Sequence, residues 1–291
     1  MPESIQKVIS PHVQDLGGFE ARRLLPNDEQ KMVGPFIFFD HLGPANFPPG
    51  KGVDVRPHPH INLATVTYLF AGAILHRDSL GTIQEIRPGA VNWMTAGKGI
   101  THSERSPDAE RLEESTLHGI QTWVALPDDA EEVEPCFYHH PATEIPTWEA
   151  QGVIITLIAG TAYGQTSPVK ALSPILYLDL QFTAGSQFVL PADYSERAVY
   201  SVTQGLKIDG QPLEQHRLAV LESSKPVTIA ASTTARCMVA GGEPLGTRYK
   251  WWNFVSSRLD RIERAKQDWR DDNFSKVPDE TECIPLPEDA S

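Results

Sequence analysis

The chain has 291 residues, with 25 basic and 38 acidic side chains and a formal net charge of −13 with His neutral. At roughly 150 residues per domain, that is two domains or one large one, long enough to bury a core without staples. The acidic balance and the lack of a Lys/Arg stripe exclude a nucleic-acid binder held by a basic face, and 40% hydrophobic with 22% charged residues excludes wholesale disorder.

Abundant Pro (24) and Gly (21) favour turns and short strands over long helices. Residues 1–35 read as strand-and-turn material, and Met1–Gly18 holds no apolar stretch of the secretory type. The apolar, aromatic run Gly34–His41 follows, then a Pro- and Gly-rich loop at 44–57. From 62 to 126 come short β-rich runs, Ala64–Phe70, Thr82–Ile86, Ala90–Met94 and His118–Leu126, separated by Gly and Pro. Such close spacing predicts a sandwich or barrel.

Residues 128–150, acidic and Pro-containing, read as an irregular crossing segment. A second β-rich set comprises Val153–Ala159, Ile175–Phe182, Gln187–Leu190, Arg197–Thr203, Leu206–Ile208, Leu218–Leu221, Val227–Ala230 and Arg236–Ala240. Within it, Val199–Gly205 echoes Val66–Gly72, which suits two barrels of one type. Leu259, Ile262 and Trp269 at helical spacing, with Asp260 and Arg264 four apart, predict a helix over Ser257–Arg270, capped by Ser256 or Ser257. Acidic, Pro-rich Asp271–Ser291 reads as a mobile arm or a strap over a neighbouring surface.

The longest apolar stretches, such as Val153–Gly160, are too short to span a bilayer. Cys136, Cys237 and Cys283 are odd in number, far apart and in no CxxC pair, so they read as reduced thiols. The expectation is a soluble, cytoplasmic protein.

The chemistry concentrates in two short motifs. In Arg56-Pro57-His58-Pro59-His60, Pro59 prevents a helix, and side chains at i and i+2 of a strand share a face about 7 Å apart. Two imidazoles so placed can converge on one metal. Thr101-His102-Ser103-Glu104 repeats the spacing after the turn Ala96-Gly97-Lys98-Gly99. Three neutral imidazoles and one carboxylate leave open positions on an octahedral ion and suit Fe(II), Mn, Ni or Cu better than Mg or Ca. His76 can line the pocket or hydrogen-bond a ligand from behind. His118, His12 and His41 read as structural, and adjacent His139 and His140 face opposite ways on a strand.

With these motifs together, the chain resembles the pirin family of bicupins. The resemblance rests on Pro57–His60, Ala64–Leu69 and Asn92–Glu104, with Val33–His41 and His76–Gly81, and more loosely on Thr183–Gly205 and Ala240–Leu245; it spans roughly residues 5–270. It implies an all-β fold of two cupin β-barrels with a C-terminal helix. The expected domains are an N-terminal metal-binding barrel at 1–130, a barrel without metal at 131–255, and the helix and acidic tail at 256–291. It implies one mononuclear divalent metal held by His58, His60, His102 and Glu104, with Fe(II) foremost and Mn, Ni, Cu, Zn or Co as alternatives. One departure stands out: where the general cupin pattern has Glu in the strand after the His pair, this chain has Ala64. In the second barrel, the echo sets His58 on Pro191 and His60 on Asp193, and His102 near Ala235.

The resemblance also implies quercetin 2,3-dioxygenase-like chemistry: O2 opens the central ring of a flavonol and carbon monoxide leaves. Glu104 would take the proton that frees the reactive enolate. The expected partners are a small aromatic substrate and O2, with no nucleic acid and no membrane, and a monomer is expected. The alternative is a redox-sensitive, metal-binding regulator of a protein partner, a transcription factor or a metabolic enzyme. A third is an isomerase or hydrolase on the same scaffold, since fold does not fix function.

Overall fold

A computed structural model describes residues 4–15 and 18–288. The expected segments at 1–35 and 271–291 therefore lie partly outside the described residues, at 1–3, 16–17 and 289–291. The chain divides into two compact units. One is Met1–Val13, Arg22–Asp40 and Thr143–Pro244; the other is Gln14–Ala21, His41–Ala142 and Leu245–Ser291. The division thus does not follow boundaries near 130 and 255. Ile5–Ile9 joins the later barrel because it pairs with Leu218–Leu221. The C-terminal helix joins the earlier one because Ile262 and Ala265 bury against Ile61 and Phe254.

The metal-motif unit is built on strands β1 (Phe36–Phe47), β2 (Asp54–His60), β3 (Leu63–Ala71), β4 (Ile74–Asp78), β5 (Ile83–Ile86), β6 (Val91–Thr95), β7 (Ile100–Arg105), β8 (Ser115–Ala125) and β9 (Cys136–His140). The chain passes along β1 from one unit into the other. Two sheets result: one runs β9-β6-β3-β8-β1 and continues past β1 with Glu20–Leu25 and His12–Asp15, and the other runs β2-β7-β4-β5. The expected loop at 44–57 is shorter than anticipated, because β1 runs through Gly43-Pro44 to Phe47. The expected irregular segment 128–150 contains β9 and a strand at Thr147–Ala150. The partners of these two strands, β6 and Val153–Ala162, supply the hydrogen bonds that their weak alternation does not advertise.

The other unit carries β10 (Ile175–Phe182), β11 (Gln187–Leu190), β12 (Glu196–Ser201), β13 (Leu206–Ile208), β14 (Gln211–Leu213), β15 (Leu218–Leu221), β16 (Val227–Ala231) and β17 (Ala235–Gly242). Its sheet orders, β15-β12-β17-β10 and β11-β16-β13-β14, repeat those of β1 to β8 strand for strand. The two echoing segments begin in β3 and β12, which are counterparts. The counterparts of β2 and β7 are β11 and β16, so the places of His58 and His60 fall within Gln187–Leu190 and that of His102 within Val227–Ala231, not at Pro191, at Asp193 and near Ala235; the connecting loops differ in length. Inward positions of β11 and β16 are Phe188, Leu190, Val227 and Ile229, all in one hydrocarbon core. Each fully buried aliphatic or Phe side chain there contributes about 1.5–3 kcal/mol.

The helix α1 (Leu259–Arg270) begins later than expected, and no side chain caps it. Ser256 and Ser257 instead hold buried Glu131: Ser256 Oγ donates at 2.9 Å and the Ser257 amide at 2.6 Å. Leu259 is exposed, so the helix packs through Ile262 and Ala265. Asp260 pairs with Arg258 rather than Arg264, which reaches Asp268. No helix among the described residues is long and apolar enough to cross a membrane.

The turn that delivers β7 depends on Gly97. Its φ is +49°, and a Cβ there would sit 1.9 Å from the Val133 carbonyl oxygen. Both facts disfavour any side chain. Gly97→Ala is expected to lower stability by more than about 1 kcal/mol, read as a lower urea midpoint with an unchanged slope.

Candidate metal centre

β2 and β7 are antiparallel neighbours, with His58 opposite His102 and His60 opposite Ile100. Beyond that pair, Arg56 and Pro57 together oppose Ser103, which is a β-bulge on β2. A bulge tolerates Pro57, which has no amide to give the ladder. Strand alternation turns His58, His60, His102 and Glu104 to one face and Pro57, Thr101 and Ser103 to the other. On the far side of β7, His76 of β4 lies opposite Glu104 and Asp78 opposite His102.

The structure brings the three predicted histidines together. Their ligand nitrogens all lie within 4.8 Å of one another, and all three residues are buried. His60 Nε2 and His102 Nε2 are 3.1 Å apart. This cluster fits a single metal. Burial pushes all three imidazoles down from the usual His value, His60 and His102 well down, and repulsion from neighbouring imidazoles, His76 among them, adds to it. For His58, the Arg56 carbonyl and Glu104 partly oppose that trend. Neutral rings are the form that coordinates metal.

Each neutral ring carries one proton, and for His58 and His60 a backbone carbonyl places it away from the cluster. His58 Nδ1 lies 2.9 Å from the Arg56 carbonyl, and His60 Nδ1 lies 3.0 Å from the Asn253 carbonyl. A carbonyl only accepts, so each Nδ1 donates and each Nε2 keeps its lone pair. His102 Nδ1 lies 3.3 Å from His76 Nδ1, and His76 Nε2 lies 3.0 Å from Asp78 Oδ2. The other Asp78 oxygen accepts the amides of Leu80 (2.9 Å) and Thr82 (3.0 Å). Burial raises the Asp78 carboxyl, but the His76 and Thr82 hydrogen bonds prevail and hold it below the usual range.

Glu104, the fourth predicted donor, is buried and lies outside the group of three. Gln121 Nε2 donates to both its oxygens at 3.1 Å, and Thr67 Oγ1 lies 3.4 Å from Oε1. Thr67 and Thr65 share a face of β3, whereas Ala64 faces the other way. Trp123 packs edge-on to His60 at 4.9 Å, and Phe137 stacks on His76 at 4.4 Å.

The C-terminal tail straps the outer face of the same strands. Ile284 N–H donates to the Pro57 carbonyl at 2.8 Å. Glu280 accepts from Ser103 Oγ, and its other oxygen lies 2.7 Å from Arg105. A cavity of about 580 Å³ lies under this strap, lined by Pro57, Thr101, Trp269, Phe274, Val277 and Leu286 among others. It faces away from the imidazoles.

The other histidines stand apart from the cluster. His41 and His118 pair through Nε2 at 2.7 Å, and His139 Nδ1 lies 2.7 Å from Asn92 Oδ1. Sequence reasoning missed Asp78, Gln121 and Asn253. Asp78 had a signal, the same i,i+2 spacing from His76 that marks the ligand pairs. Gln121 had a fainter one, two residues before Trp123 on a strand. Asn253 acts through its carbonyl, and a sequence carries no mark of that.

A family model described as Pirin matches residues 18–124, and one described as Pirin C-terminal cupin domain matches residues 177–275. The chain is 47% identical to a pirin-like protein of Caulobacter vibrioides, covering 98% of this chain and 100% of that one. It is 31% identical to the pirin of Rattus norvegicus over 90% of both chains. The crystal structure of a quercetin 2,3-dioxygenase from Acinetobacter baumannii aligns with a TM-score of 0.89 at 34% identity, covering 98% of this chain and 96% of that one.

The depressed imidazoles make a pH prediction. In acid the unfolded chain takes up these protons more readily than the folded one, so stability rises with pH. The metal-free protein should hold this stability fully above the ordinary His value of about 6.5 and lose it as pH falls below that. Urea midpoints at pH 7.5, 6 and 5 in chelator test this. His60→Leu, which removes one such ring, should flatten the dependence.

Proposed function

The chain belongs to the pirin family, and on that premise we propose that it is a metal-dependent dioxygenase that opens flavonols such as quercetin with O2 and releases carbon monoxide. One observation carries the reading: three buried imidazoles bring ring nitrogens within 4.8 Å of one another beside a buried carboxylate. The quercetin dioxygenase structure at 34% identity supports the substrate class.

His58, His60, His102 and Glu104 would hold the ion. Nitrogen donors with one carboxylate suit Fe(II). When bound, it supplies Lewis-acid and redox chemistry toward O2. The chain's own residues do the rest. The three histidines fix the donor directions. Glu104 takes the hydroxyl proton of the flavonol, so that the enolate form is the one presented. Gln121 grips both carboxylate oxygens and sets the direction from which they approach that proton. Trp123 and Phe137 supply aromatic surface, which suits a flat polyphenol.

Anaerobic loading with Fe(II), followed by quercetin and O2, should release one carbon monoxide per flavonol consumed. His102→Ala should release none. Glu104→Gln should lower turnover by roughly 10²–10⁴-fold, the usual worth of a general base. Tight Fe(II) binding by the wild type with no carbon monoxide would sink the flavonol reading.

A further inference from the structure

We propose that His76 and Asp78 are positioning residues for His102: Asp78 sets the tautomer of His76, and His76 accepts the Nδ1 proton of His102 and so leaves Nε2 open toward the metal position. The proposal rests on the reading of His102 as a ligand.

The argument is an inventory of protons. His58 and His60 place theirs on backbone carbonyls, which can only accept. His102 faces another imidazole, which can accept or donate. With both rings neutral, two arrangements compete. If His76 accepts at Nδ1, the proton of His102 stays on Nδ1. If His76 donates from Nδ1, the proton of His102 moves to Nε2 and blocks the lone pair that must face the metal.

Asp78 decides between them. Its ionised carboxylate is acceptor-only, and Oδ2 sits 3.0 Å from His76 Nε2, so His76 must carry its proton there. The carboxylate cannot turn away, because the amides of Leu80 and Thr82 hold Oδ1. Nor does the His76 ring turn freely, since Phe137 stacks on it with planes 20° apart. His102 is then the ligand whose N–H is drawn toward a carboxylate through a second ring. That makes it a stronger donor than the two held by neutral carbonyls.

Two measurements test this. On metal-free protein at pH 7.5, long-range ¹H–¹⁵N correlation spectra of ¹⁵N-histidine read each tautomer directly. The expected result is a proton on Nδ1 of His102 and on Nε2 of His76. A proton on Nδ1 of His76 overturns the proposal, whatever the metal does. In Asp78→Asn, the side-chain oxygen still serves the turn amides, and the NH2 group then faces His76; the tautomers of His76 and His102 should both invert.

The second measurement is Co(II) affinity by calorimetry. His76→Phe keeps the stack but removes the acceptor, and Asp78→Asn inverts it. Both should bind roughly 10–100-fold more weakly. His76→Asn, whose amide oxygen replaces Nδ1, should recover most of that loss. If His76→Phe binds Co(II) like the wild type while His102→Ala loses it, the positioning role is wrong and the ligand reading stands. If His102→Ala itself binds like the wild type, the ligand reading fails and the tautomer spectra still judge the hydrogen-bond chain. Should His76→Phe fail to fold, Asp78→Asn decides by both readouts.

Discussion

A neutral imidazole carries one proton and one lone pair, on opposite sides of the ring. Three such rings cannot meet around a point unless each has somewhere outside to put its proton. A buried donor left without an acceptor costs about 1–3 kcal/mol. The centre is therefore built from its acceptors as much as from its ligands. Arg56 supplies one carbonyl from the same strand as His58. Asn253 supplies the second from a hairpin far along the chain, where Trp252 takes a φ of +50°. His76 supplies the third. The segment after residue 245 belongs with the metal-motif unit for this reason as well as for its packing.

The ligand strands are also polar on their outward face, where Ser103 and Arg105 meet Glu280 and the Pro57 carbonyl meets Ile284. β2 and β7 are thus held on both sides: by ring-to-carbonyl hydrogen bonds within and by the tail without. The bulge at Arg56-Pro57 lets a strand with two prolines keep its register there. It also leaves the Arg56 carbonyl off the ladder and available to His58.

Much of this could be read from the sequence, and the parts that could not share one cause. The two motifs stand out by their i,i+2 spacing, and the structure brings His58, His60 and His102 of them together. Several strands of the second barrel, such as Ile175–Phe182 and Leu218–Leu221, match their expected limits because apolar runs and flanking Gly or Pro are local signals. Failures came where a distant partner decides. Cys136–His140 is a strand because β6 needs a neighbour. Ser256 and Ser257 looked like helix caps, but the helix starts only at Leu259, and both serines donate to buried Glu131. Gln121 looked like any polar strand residue until Glu104 lay opposite it.

The repeated barrel shows what the histidines alone would not achieve. β11 and β16 hold the places of β2 and β7, with Phe188 paired to Ile229 and Leu190 to Val227. Histidines written at 188, 190 and 229 would reproduce the spacing of the ligands. Their rings would enter a core lined by Leu206, Ile208 and Leu213, where the side chains offer no acceptor for a ring proton. Each would be buried with an unmet donor, or would stay charged and drive the barrel open. The same topology holds either a hydrocarbon interior or a histidine cluster that fits a metal, and what separates them is less the histidines than the carbonyls, the carboxylate and the further imidazole behind them.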